Sequence, residues 1–136
     1  MSTATTLTET QIKHVLKPYI ATLATLRQDG SPHTAPVWYR YEGSAFFVLT
    51  DEGSQKHKNV MRDPRVELCI DDRERAPFHT VIVRGRATVL PHPGPEWRLA
   101  LAVRYLGEER GRRYTESEGD GGGVMIRIDP EKIVGW

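Results

Sequence analysis

The stretch "YIATLATLRQDGSPHTAPVWYRYEGSAFFVLTDEG" (19–53) constrains the fold more than any other part of the chain. It is rich in Thr, Val, Ile and aromatic residues, and it is cut by Asp29-Gly30 and by Glu42-Gly43-Ser44. β-Branched and aromatic side chains suit a pleated, half-buried surface, and Gly-containing pairs suit tight turns. The stretch therefore predicts three consecutive antiparallel strands, at about 20–27, 33–41 and 45–50, joined by short turns.

The flanking segments extend this pattern. Thr8 and Gln11 have the form of a capping box, and Ile12, Val15 and Leu16 recur at helical spacing until Pro18 closes the helix. Ser54 caps a short helix that runs to about Arg62 and stops at Asp63-Pro64. "RVELCID" (65–71) reads as a fourth strand and "HTVIVRGRATVLP" (79–91) as a long fifth, with Gly85 marking a bulge or bend. A helix follows over 94–107, opened by Pro95 and capped by Gly107, and a second short one over "EERGRRYTE". "SEGDGGG" (117–123) is a Gly-rich loop rather than a nucleotide fingerprint, because no strand precedes it and no helix follows. "VMIRID" (124–129) is a sixth strand, "DPEK" a turn, and "IVGW" an apolar end.

Six strands linked mostly by hairpin-length loops, without βαβα alternation, imply one domain over 1–136. Its expected architecture is a closed or partly split antiparallel barrel with helices at its flanks. A chain of 136 residues with 38% hydrophobic and 27% charged residues can bury a real core.

Composition and motif spacing also exclude function classes. A net charge of +1 provides no broad basic surface for nucleic acid. The single cysteine, Cys69, lies in the apolar alternation "VELCI" and reads as a buried thiol. No secretory leader and no apolar run near the ~20 residues of a membrane span are present, so the expected location is cytoplasmic. The five histidines lack metal-ligand spacing, and no G-x-S-x-G occurs. Chemistry in such a chain points to a bound cofactor.

Two constellations are candidates for binding it. Thr50 ends the third strand, and Ser54 opens a helix whose first turn holds Lys56, with His57, Lys58, Asn59 and Arg62 behind it. The first amides of a helix lack internal acceptors and favour negative charge, so a cation there sits against the helix dipole. Two readings stand: an anion, best a phosphate, held by Thr50, Ser54 and Lys56, or a merely solvated helix face. Asn59 would bond either the ligand or neighbouring backbone. In "PVWYRY" (36–41), alternation puts Val37, Tyr39 and Tyr41 on one face and Trp38 and Arg40 on the other. The outward rings are either ordinary packing or surface to be covered by a flat cofactor or a second subunit.

The segments "LATLRQDGSPHTAPVWYRYEG", "FFVLTDEGSQKHKNVMRDPRVELCIDD" and "VIVRGRATV", with the ending "IRIDPEKIVGW", resemble the pyridoxamine 5′-phosphate oxidase-like superfamily in order and spacing. The likeness is to its branch of small flavin- or deazaflavin-dependent oxidoreductases, and it is loose over 94–120. It implies a six-stranded split β-barrel, a homodimer with cofactor clefts shared between subunits, and a small-molecule substrate. It also implies cofactor contacts at Pro36, Val37, Trp38, Thr50, Ser54, Lys56, Lys58 and Asn59. No catalytic side chain and no metal are implied. Many flavin-binding relatives carry an Arg just before the equivalent of Lys56, where this chain has Ser54-Gln55. The arginine-rich motif of the true oxidases is absent at 36–41. "P-V-W" with "K-H-K-N" resembles the branch that uses the deazaflavin coenzyme F-420, whose acidic tail suits Lys58 and Arg62. Flavin mononucleotide (FMN) is the alternative cofactor. A non-catalytic flavin- or haem-binding protein of the same fold is the alternative function.

Overall fold

The computed structural model describes residues 5–118 and 122–136. Part of the Gly-rich segment 117–123 therefore lies outside the described residues. The elements in chain order are α1 (Glu9–Val15), β1 (Ala21–Leu26), β2 (Pro32–Val37), β3 (Arg40–Glu42), β4 (Ala45–Thr50) and α2 (Gln55–Arg62). They continue with β5 (Arg65–Asp72), β6 (His79–Pro91), α3 (Pro95–Leu106), α4 (Glu108–Ser117) and β7 (Val124–Gly135). The strands form one antiparallel sheet in the order β2-β1-β5-β6-β7-β4-β3, curled into a split barrel with short helices at its flanks. Its two edge strands, β2 and β3, are consecutive in sequence and are linked by Trp38-Tyr39 alone.

This corrects the expected six strands to seven. The 33–41 segment breaks because Tyr39 leaves the ladder: its amide donates to the Tyr105 hydroxyl at 3.1 Å instead of to a neighbouring strand. β2 consequently pairs with β1, and β3 with β4. A second correction concerns "DPEK", which is not a turn, since β7 runs straight through it. The register against β6 shifts from Arg84↔Lys132 to Gly85↔Pro130, so Glu131 is the extra residue of a bulge. Pro130, which has no amide to donate, is tolerated there. Gly85 is required opposite it, because a Cβ at that position would run into the Asp129 carbonyl. The expected bulge at Gly85 thus occurs, and it carries the strand past the proline.

The barrel interior is filled by fully buried Leu23, Phe46, Leu68, Ile70, Ile126 and Ile128. α1 closes one end. Its predicted capping box is present, with Thr8 Oγ1 accepting from the Gln11 amide at 3.1 Å and Gln11 Oε1 from the Thr8 amide at 2.9 Å. Val15 of α1 is wholly buried, and His14 Nε2 lies 2.9 Å from the Ile70 carbonyl. α2 crosses the opposite end of β1, where Arg62 bonds the Leu26 carbonyl and Val60 enters the core.

Tyr39 sits where α1 meets the strand break. Its ring is completely buried and its hydroxyl donates to the Val15 carbonyl at 2.8 Å. Burial pushes this phenol far above its ordinary 10.0, with Tyr105 adding to the effect. The unfolded chain therefore loses the proton first, and the stability held below about pH 10 is lost as pH rises toward the folded value. The stability gap between wild type and Tyr39→Phe should shrink as pH passes about 10, as read by urea midpoints. A gap constant with pH would remove Tyr39 from alkaline unfolding.

Candidate functional site

Thr50 closes β4, and three residues later the chain enters α2. Gly53 adopts φ +82°, a left-handed conformation that glycine accepts without strain, and this turns Ser54 into the N-cap position. The Ser54 hydroxyl accepts from the His57 amide at 3.3 Å and lies 2.8 Å from Thr50 Oγ1. Strand end and helix start are therefore joined by two hydroxyls in contact. The Gln55 and Lys56 amides open the helix with no intrahelical acceptor. His57 folds back onto this end of the helix, where its Nδ1 accepts from the Gly53 amide at 2.9 Å. Lys56 is half-buried and Lys58 exposed, and neither ammonium has a hydrogen bond or ion pair among the described residues. One hydroxyl proton is spent between Thr50 and Ser54, which leaves one hydroxyl, the two leading amides of α2 and the Lys56 ammonium as a donor set that suits the oxygens of a phosphate or phosphodiester.

Gly123 bounds this cup from the other side. A Cβ there would collide with the Thr50 carbonyl, so the start of β7 approaches β4 as closely as backbone permits. Thr50, Leu49 and Asp51 also line a cleft of about 380 Å³ together with Trp38, Arg98 of α3 and Tyr114 of α4. A second cleft of about 380 Å³ lies against α1 and the C-terminus and contains none of the residues predicted for the site.

Trp38 and Thr50 thus line one cleft, Ser54 meets Thr50 through its hydroxyl, and Lys56 lies in the first turn of the helix that Ser54 caps. Pro36 is exposed on β2, an edge strand of the sheet. Two other residues sit differently. The Val37 side chain is core, 6% exposed. Asn59 is 0% exposed, and its amide donates to Thr25 Oγ1 at 2.9 Å while its oxygen accepts from Gln55 Nε2 at 2.7 Å. The expected partners of Asn59 were a ligand or neighbouring backbone; its bonds here go instead to the side chains of Thr25 on β1 and Gln55 on its own helix, and the first pins α2 to the barrel.

Sequence reasoning missed the α3–α4 wall. Trp38 stacks on Tyr105, with centroids 4.9 Å apart and planes at 6°, and meets Tyr114 at 5.5 Å and 52°. The available signal was Gly111 inside a helix, where glycine costs about 1 kcal/mol relative to alanine. It is there because a Cβ would stand 2.8 Å from Val103 Cα, so α4 folds back tightly on α3 and returns Tyr114 to Trp38.

A curled antiparallel sheet, split between its edge strands and flanked by short helices, defines a split-barrel protein. The chain belongs to the pyridoxamine 5′-phosphate oxidase family, which matches residues 7–136. It is 29% identical over 136 residues to a 5a,11a-dehydrotetracycline/5a,11a-dehydrooxytetracycline reductase of Streptomyces rimosus subsp. rimosus, covering 95% of this chain and 82% of that protein. Among solved structures it is similar to an F-420 reductase, with TM-score 0.80 and 26% identity over 94% of this chain and 98% of the other. A conserved hypothetical protein from Mycobacterium tuberculosis aligns with TM-score 0.78 and 25% identity, over 100% of this chain and 89% of that one. The resemblance to named reductases marks the chain as oxidoreductase-like. Among the described residues, no helix is long and apolar enough to cross a membrane.

Proposed function

We propose that this protein is an oxidoreductase that uses the reduced deazaflavin coenzyme F-420 to reduce a small conjugated organic substrate. We further propose that it acts as a two-fold dimer with its cofactor clefts at the subunit boundary. The observation that carries the reading is the contact of Thr50 Oγ1 with Ser54 Oγ at 2.8 Å where β4 passes into α2, whose first turn carries Lys56 with no hydrogen bond or ion pair among the described residues. When bound, the deazaflavin supplies a hydride. Thr50, Ser54 and Lys56 would hold its phosphodiester, and Lys58, exposed on the same helix, would meet its acidic tail. Pro36 on β2 and the Trp38 wall would orient the ring system, so that protein groups supply position and exclusion of water rather than a reacting side chain. Support comes from the 26% identity to an F-420 reductase along nearly the whole chain and from similarity to a reductase of a conjugated polycyclic compound. The pattern "P-V-W" with "K-H-K-N" favours the deazaflavin over FMN, and Ser54-Gln55 stands where many flavin-binding relatives carry an arginine.

Fluorescence titration of the purified protein with F-420 and FMN in parallel tests the reading. Tighter binding of F-420 is expected. Tighter FMN binding would assign the flavin instead, and binding of neither at micromolar concentration would end the proposal.

A further inference from the structure

α3 meets the barrel at the break between β2 and β3, and two consecutive residues make the contact. The Tyr39 amide donates to the Tyr105 hydroxyl at 3.1 Å, and the Tyr39 carbonyl accepts from Arg104 Nε at 3.0 Å. Both main-chain groups that leave the ladder are thereby satisfied by one turn of one helix, as buried backbone requires. The Tyr105 hydroxyl gives its own proton to the Tyr19 carbonyl at 2.9 Å, so the approach to β1 is tied to the same point. Burial raises this phenol above its ordinary pKa, which keeps that proton in place.

The Tyr105 ring acts separately from its hydroxyl. It lies flat against Trp38, with centroids 4.9 Å apart and planes at 6°. Trp38 immediately precedes the fixed backbone of Tyr39, so its main chain is set from one side and its indole plane from the other. α3 is itself anchored away from the break, where Trp97 meets Phe47 of β4 at 6.4 Å and 68° and carries the Arg40 guanidinium 5.0 Å from its centroid. The ring behind Trp38 therefore belongs to a docked helix. We infer that Tyr105 is a positioning residue: it sets the plane of Trp38 and, through it, the surface that orients the cofactor ring. This rests on the cofactor reading above, in which Trp38 takes that part. A stacked pair and a hydrogen-bonded amide are both directional, so together they hold an orientation that apolar packing alone would leave loose. Orientation lost at such a point lowers affinity without any change in the residues that touch the ligand.

Two measurements test the inference. Affinity is read in the otherwise wild-type chain, with whichever of F-420 and FMN the wild type binds more tightly. Exposure of Trp38 is read by acrylamide quenching in a Trp97→Phe/Trp136→Phe background, which leaves Trp38 as the only indole. Tyr105→Leu, which removes ring and hydroxyl but keeps bulk, should raise quenching about twofold and weaken the cofactor about fivefold, the scale of one aromatic contact. Val83→Ala, in the core of the central strand β6, controls for lost stability alone; it should lower the melting temperature and move neither reading. Should Tyr105→Leu not fold, Tyr105→Phe keeps the stack but leaves the Tyr39 amide without its acceptor, and about a threefold loss of affinity with raised quenching is expected. Unchanged quenching, or raised quenching with wild-type affinity, would overturn the inference and leave the cofactor reading intact. An equal effect of Val83→Ala would reduce Tyr105 to a stability contact. Wild-type protein that binds neither F-420 nor FMN would end the cofactor reading, and the positioning role would fall with it.

Discussion

Lys56→Ala is expected to weaken F-420 binding by about 1–3 kcal/mol, or roughly 5- to 150-fold, the range for hydrogen bonds to charged groups. The upper end applies if the half-buried ammonium is shielded from water in the complex, and the lower end if it stays wetted. Folding should be nearly unaffected. No ion pair or hydrogen bond of Lys56 exists among the described residues, and removing a cation from the first helical turn relieves an unfavourable dipole interaction. Lys58→Ala should cost less, because an exposed ammonium meets only the tail in high dielectric. Fluorescence titration alongside thermal melts separates the two effects. A Lys56→Ala protein with wild-type affinity would leave the β4–α2 junction as a solvated turn.

Arg104→Met is expected to lower stability by about 2 kcal/mol, with a larger relative effect on the site than on the core. The Arg104 guanidinium donates to four carbonyls: Tyr39 at 3.0 Å, Leu16 at 2.7 Å, Val15 at 3.1 Å and Lys17 at 2.9 Å. It thereby caps α1 and clasps the break between β2 and β3 at once. Four charge-assisted bonds would suggest a greater loss, but other donors remain. Val15 and Lys17 also accept from the Tyr39 hydroxyl, at 2.8 and 3.3 Å, and Tyr39 from the Tyr105 hydroxyl at 3.4 Å. Met preserves most of the stem packing, so the loss is chiefly polar. Chemical denaturation gives the stability change. Trp38, whose indole depends on the same break, should show altered fluorescence even in the fully folded variant. A loss under about 0.5 kcal/mol would mean that the remaining donors suffice.

The legible parts of this protein are those whose determinants are close in sequence. The Thr8–Gln11 cap, the Ser54 cap and the bulge residue Gly85 could be read from neighbouring residues. Thr50 and Ser54 are likewise close in sequence, and their hydroxyls meet at 2.8 Å where the strand passes into the helix. What was not legible has distant causes. Alternation runs unbroken through 36–41, and only Tyr105, 66 residues away, takes the Tyr39 amide out of the ladder. Asn59 looked available to a ligand until Thr25, 34 residues earlier, claimed its amide. Pro130 has the local signature of a turn, yet Gly85 across the sheet lets the strand continue. The aromatic wall depends on α4 doubling back on α3, which the sequence marks only by Gly111.

The two-residue link between the sheet's outermost strands has one more consequence. Trp38 and Tyr39 tether the two edge strands, and the three steps from Val37 to Arg40 reach at most about 11 Å. The gap between the halves therefore behaves as a slot of set width rather than a jaw. Widening the split at this end would require a longer link between β2 and β3 rather than a change in the side chains that line it.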